Sequence, residues 1–252
     1  MNSSTSYLRI GTACLFLASV ALVIGCDTTE RTTDDSDNKP TTKPVESRKL
    51  DAGKNVVLEI QGDKRRVLVT SAVCLQRGPL ELLMCRKQSK EHESILAADV
   101  DARDIHKALL LAGAEPGKPA KYLENKIQPP TGTKIKISLQ YEKKGKLVTE
   151  SAGKWVRNGK TRKELDEDWV FAGSGFAKNV IDPKKPDIYL ANEDGDLICV
   201  SNFEDAMLDL PISSPKDWSE RFFEAIPDRI PDVDTKVTVI LEPVPDPKKK
   251  KK

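Results

Sequence analysis

Apolar side chains recur along this chain at two spacings, and each change of spacing marks a change of element. Val56, Leu58 and Ile60 occupy every second position over 55–61, the pattern of a half-buried strand. Gly62-Asp63 then turns the chain into a second alternating run over 65–74, so the two predict a hairpin. After the Gly78-Pro79 turn the pattern predicts strands over 80–86 and 93–98. The period then lengthens: Ile105, Ala108, Leu109 and Ala112 fall on one face of a helix over 102–112. Asp101 suits its N-cap with Asp104 at N3, and Gly113 followed by Pro116 stops it.

Beyond the breaker cluster Pro129-Pro130-Thr131-Gly132 the period returns to two. Runs over 134–141 and 146–150 predict a hairpin across Lys143-Lys144-Gly145, and four further strands are expected over 169–172, 187–191, 196–201 and 236–241. Asp194-Gly195 has the composition of a two-residue hairpin turn between the middle pair. Short helices are expected over 202–208 and 218–225. Hairpins outnumber strand–helix–strand units, so the expected class is α+β, with a mixed or mostly antiparallel sheet, one clear helix over 102–112 and one or two short ones.

The first 25 residues do not belong to this pattern. Arg9 provides a positive flank to an apolar run over 10–24, about 15 residues long and short of the roughly 20 that span a bilayer. The run closes on Val23-Ile24-Gly25-Cys26, the arrangement of a bacterial lipoprotein signal. Cleavage before Cys26 and its acylation are therefore expected, giving a lipid-anchored protein of the cell envelope facing an extracytoplasmic space. Cys14 also follows small residues, but almost no hydrophobic stretch precedes it. Asp27 leaves the choice between inner and outer membrane open.

Residues 27–53 are rich in Thr, Asp, Ser, Lys and Pro, too polar to offset the entropy of ordering, and are expected to form a tether. The expected organisation is thus a signal over 1–25, the lipidated Cys26 and tether over 26–53, a folded domain over 54–242 and an unpacked Pro/Lys-rich tail over 243–252.

Lys and Arg total 41 against 39 Asp and Glu, interspersed along the chain, which argues against a nucleic-acid-binding face. The exception is the run Lys248, Lys249, Lys250, Lys251 and Lys252, which suits an anionic lipid surface. Cys74, Cys85 and Cys199 follow the lipid cysteine, so at most one intramolecular bridge forms. Cys74 and Cys85 flank a turn and are the candidate pair; buried free thiols are the alternative. No C-x-x-C pair occurs, which argues against a thioredoxin-type centre, a four-cysteine cluster or a cysteine zinc site.

Glu91-His92-Glu93 is the densest group of catalytic residue types, and with Asp99 it is the candidate metal or acid–base centre. In an extended segment His92 points away from both glutamates, so a metal would need distant acids such as Asp194 or Asp196. His106 is expected half-buried beside the helix's apolar face. Asn192-Glu193-Asp194-Gly195-Asp196 fails the calcium-loop pattern: its glycine is displaced and Phe203 stands where the terminal Glu belongs. Gly173-Ser174-Gly175 lacks the third glycine of a phosphate loop and the outer glycines of a nucleophile elbow.

Several segments in order resemble the YdjY-domain family: Cys74-Leu75-Gln76-Arg77-Gly78-Pro79-Leu80-Glu81, Lys90-Glu91-His92-Glu93-Ser94, Ala97-Ala98-Asp99-Val100-Asp101, Leu109-Leu110-Leu111-Ala112-Gly113-Ala114, Asp168-Trp169-Val170-Phe171-Ala172-Gly173-Ser174-Gly175 and Gly195-Asp196-Leu197-Ile198-Cys199-Val200-Ser201-Asn202. The resemblance runs from about Val57 to Leu241 and implies an envelope domain of a kind common in planctomycetes. It carries no catalytic role onto these residues and does not imply iron–sulfur binding. The expectation is a non-catalytic binding or scaffold domain with an envelope partner or ligand and no cofactor. The alternative is an envelope enzyme or metal-dependent domain centred on Glu91, His92, Glu93 and Asp99.

Overall fold

The computed structural model describes residues 47–124, 127–180, 182–212 and 223–246. The signal over 1–25, Cys26, the tether as far as residue 46 and lysines 248–252 lie outside them. The expected tether extended to Gly53, but Ser47–Gly53 (β1) is a strand, antiparallel to Val56–Gln61 (β2), with Ser47 opposite Gln61. Its charged side chains hid two apolar ones: Leu50 and Ala52 pack against the core.

Strands β3 (Lys64–Val73), β4 (Leu82–Arg86) and β5 (Ser94–Ala98) precede helix α1 (Ala102–Leu111). There follow β6 (Lys134–Lys143), β7 (Lys146–Ser151), β8 (Trp169–Phe171), helix α2 (Leu190–Asp194), β9 (Asp196–Cys199), β10 (Leu208–Asp209) and β11 (Lys236–Pro243). The pairing order β3-β11-β6-β8-β10-β9-β4-β5 returns to β3 and closes an eight-stranded barrel. Within it only β4–β5 and β9–β10 pair in parallel.

One long strand serves two neighbours on the same edge. The first part of β3 pairs with β2, while Ala72 and Val73 pair with Ala97 and Leu96 of β5. The β1–β2 hairpin therefore peels away from the barrel, and α1 packs on β1, β2 and β3. Period-two alternation builds the core: Val69, Val239 and Leu139 stand side by side on β3, β11 and β6, all fully buried. Asp101 caps α1 by accepting from the Arg103 N–H, and Ile105, Ala108 and Leu109 are its buried face.

The expected α+β class is corrected. Strands hold 47% of the described residues and helices 12%, and the helices are appendages of a barrel rather than a layer. Three local expectations fail with it. Asp194-Gly195 is no hairpin turn: Gly195, at φ +87°, ends α2, and its N–H donates to the Ala191 carbonyl. Ile188-Tyr189 pairs instead with Phe176-Ala177. Residues 202–208 are not helical, because their polar groups bond across the loop to Asp209 rather than along it. Phe223–Ala225 is a strand paired with Val156–Asn158, and the rest of the helix expected over 218–225 lies outside the described residues.

Candidate functional site

Glu91–Glu93 forms a single 3-10 turn between β4 and β5. His92 is 77% exposed, 3.8 Å from Glu93 Oε2, while Glu91 accepts from the Gln88 N–H. Asp99 is engaged elsewhere, 2.6 Å from Lys54 Nζ. Among the described residues no three His, Cys, Asp or Glu side chains form a group that would hold a metal ion.

The residue just before it does converge on other acids. Lys90 Nζ lies 2.7 Å from Asp196 Oδ1 and 4.8 Å from the centre of the Phe203 ring. Asp196 has no exposed surface, and its carboxyl interacts with the side chains of both Lys90 and Asp205. Burial pushes the Asp196 carboxyl up, and the Lys90 ammonium opposes this. At the surface above it Asp194, at the end of α2, hydrogen-bonds to Asp205. Burial, with Asp205 alongside, pushes the Asp194 carboxyl up to about 6. Carboxyls in such contact share a proton, so this pair holds one far more readily than a solvated aspartate does.

Asp205 belongs to a strap, residues 201–207, laid over Leu82, Cys85 and Cys199 with Ala206 against them. Asp209 anchors the strap's start: it is fully buried and accepts from Asn202 Nδ2 and the Phe203 N–H. Ser174 anchors its end, donating to the Asp205 carbonyl and accepting from the Ala191 N–H at 2.9 Å. This use of its hydroxyl, and its φ of +59° between two glycines, mark Ser174 as a structural bridge rather than a nucleophile.

His106 is half-buried, edge-on to Phe171 at 4.8 Å and to Tyr189 at 5.5 Å. The Tyr189 hydroxyl donates to the Gly173 carbonyl, so the 2.9 Å contact with His106 Nδ1 uses an imidazole N–H. Burial pulls the His106 pKa down, favouring that neutral ring.

Among the described residues, Cys74, Cys85 and Cys199 carry free thiols. Cys74 Sγ donates to the Ser94 carbonyl and contacts Cys85, whose own side chain is buried. Burial pushes the Cys199 thiol up, so it remains a neutral apolar filler under the strap.

A cleft of about 750 Å³ opens at one end of the barrel, between the β2–β3 turn, the end of α1 and the segment after β11. Lys64, Arg65 and Lys134 line it together with Asp63, Glu115, Glu242 and Asp246, so both signs face its interior. Arg65 closes one wall by donating to the Leu111 carbonyl at 3.0 Å. Alternation placed these residues at strand ends, but only the register, with Ile135 opposite Pro243 and Gln61 opposite Lys64, brings them to one mouth.

The carboxylate–lysine group had a legible signal that went unused. Asp196 and Asp209 interrupt otherwise apolar strands, and a charge in a buried run requires a partner. A family model of the YdjY domain matches residues 53–242. No curated protein and no solved structure matches the chain.

Proposed function

Because the chain belongs to the YdjY domain family, we propose that it works as a membrane-anchored envelope lipoprotein whose barrel is a non-catalytic binding module. The cleft carries the binding reading: it is roomy enough for a small ligand, and its balanced charges suit a zwitterionic one. The exposure of His92, and the engagement of Glu91 by the Gln88 N–H and of Asp99 by Lys54, count against a catalytic centre there. The anchor reading rests on Val23-Ile24-Gly25-Cys26 after an apolar run too short to span.

Two measurements test this. Cells fed labelled palmitate are expected to label the protein, and Cys26→Ser abolishes the label; a Cys26→Ser protein that still incorporates palmitate refutes the anchor. For binding, glycerophosphoethanolamine serves as the zwitterionic probe in amide NMR. Shifts are expected at Gly113, Thr133 and Val244, whereas shifts confined to Lys90, Asp194 and Asp205 would move the site away from the cleft.

A further inference from the structure

Strand β5 is flanked by two cysteines. Cys74 extends β3 by one residue, and its N–H donates to the Ile95 carbonyl of β5. Cys85 lies on the other side, on β4, opposite Ala97 of β5. The two side chains nevertheless reach each other, and their thiols are in hydrogen-bond contact. Their backbones stand two sheet spacings apart, about 9–10 Å, whereas a disulfide needs Cα atoms within roughly 7 Å. A bridging ion has the longer span: two metal–sulfur bonds of about 2.3 Å set the sulfurs up to about 4.6 Å apart. Sulfurs already in contact have only to part slightly to admit one.

The surroundings of Cys85 suit a thiolate. It has no exposed surface, and Ala206 of the strap packs against it. The Lys90 N–H donates to its sulfur, and the side chains of Ser89 and Ser94 are within hydrogen-bond reach. Donors of this kind hold the charge of a metal-bound sulfur. Cys74 is half-buried, with its Sγ 3.1 Å from the Ser94 carbonyl, and so offers the way in from solvent. Contact with Cys85, and burial after it, push the Cys74 thiol up, while contact with Cys74 pulls the Cys85 thiol down. One proton is thus held between the two sulfurs.

We propose that Cys74 and Cys85 form a two-coordinate site for a soft monovalent cation, copper(I), which takes the place of the thiol protons. Among the described residues no third His, Cys, Asp or Glu joins them, so the four ligands of a structural zinc site are lacking, as are the oxygens that a hard cation takes. Paired thiolates favour copper(I). Binding breaks two S–H bonds, forms two copper–sulfur bonds and releases two protons to solvent. Copper stays reduced throughout, so no electron acceptor is needed. The site lies at the far end of β3 from the cleft, whose wall carries Lys64 and Arg65 from the start of that strand, and is independent of the ligand the cleft takes.

The test supplies copper(I), buffered with bicinchoninate under argon, to the reduced full chain and counts bound copper by native mass spectrometry. The wild-type protein is expected to hold one copper(I) more than Cys74→Ser, and Cys199→Ser as many as the wild type. A second measurement needs no variant to fold: iodoacetamide labelling of the wild-type protein, read by peptide mass mapping. Because the free thiolate is the nucleophile, copper(I) is expected to slow labelling of Cys74 about tenfold or more. Equal copper in the wild type and Cys74→Ser, or Cys74 labelling that copper(I) leaves unchanged, overturns the proposal. Recovery of a Cys74–Cys85 disulfide peptide from the copper-treated protein overturns it in favour of oxidation. If Cys74→Ser fails to fold, the protection of Cys74 in the wild-type protein decides alone.

Discussion

Replacing Lys90 with methionine separates a buried ion pair from its surroundings without opening a cavity. The Lys90 side chain is 25% exposed and its ammonium sits 2.7 Å from Asp196 Oδ1, whereas the Asp196 side chain has no exposure. Removing one partner of a buried pair costs about 3–5 kcal/mol, because the remaining charge is stranded. The partial exposure of Lys90 places the expected loss near the lower bound, about 3 kcal/mol. Loss of the contact with Phe203 adds about 0.5 kcal/mol.

Asp196→Asn is expected to cost only about 1 kcal/mol, since the amide keeps the shape and Lys90 can turn to water. The two variants also differ in pH dependence. A carboxyl whose folded pKa is raised takes up a proton more readily when folded, so its contribution is present at low pH and lost as pH rises through the folded pKa. Without Lys90 the Asp196 carboxyl rises further, so the penalty of Lys90→Met shrinks as pH falls and is greatest where the carboxyl is ionised. Urea unfolding at several pH values measures both. A Lys90→Met loss smaller than that of Asp196→Asn at pH 7.5, or one that does not vary with pH, refutes the reasoning.

Asp194→Asn is expected to flatten the fall in melting temperature that the wild-type protein shows as pH rises through about 6, the value to which burial and Asp205 push this carboxyl. Thermal melts from pH 4.5 to 7.5 check this, and a wild-type curve that rises across that interval contradicts it. Tyr189→Phe leaves the Gly173 carbonyl and His106 without their shared hydroxyl, with an expected loss of about 1–2 kcal/mol in urea unfolding. Gly132→Ala is expected to cost more than about 3 kcal/mol, because a Cβ there would lie 2.0 Å from the Phe171 carbonyl oxygen at φ +142°. Soluble yield and melting temperature report it, and a near-neutral result would mean that the close backbone approach is not maintained in solution.

What the sequence made legible was local. Val67, Val69 and Val73 on β3, and Ile135, Ile137 and Leu139 on β6, alternate so regularly that their inward face is evident without a structure. Barrel closure was not evident, because it depends on ladders such as β3 with β5 and β8 with β10, whose partners are set by packing across long sequence separations. Gly195 was misread because a left-handed glycine ends a helix and turns a hairpin equally well, and five residues before it gave no period to decide between them. Phe203, Ala206 and Met207 have helical spacing, yet Asp209 draws the Asn202 side chain and the Phe203 N–H into another path. In the site, His92 drew attention through its residue type, while Lys90 two positions earlier makes the contact that matters, with an acid 106 residues away.

Ring closure leaves unpaired edges, among the described residues, on strands outside the ring. β1 pairs only with β2, and β7 only with β6. A bare strand edge would seed sheet growth from one copy to the next. β1 meets that hazard with exposed Arg48, Lys49 and Asp51, and β7 with exposed Lys146 beside the half-buried Glu150. Neutral, β-branched replacements at these positions would turn separate barrels into a substrate for fibril growth.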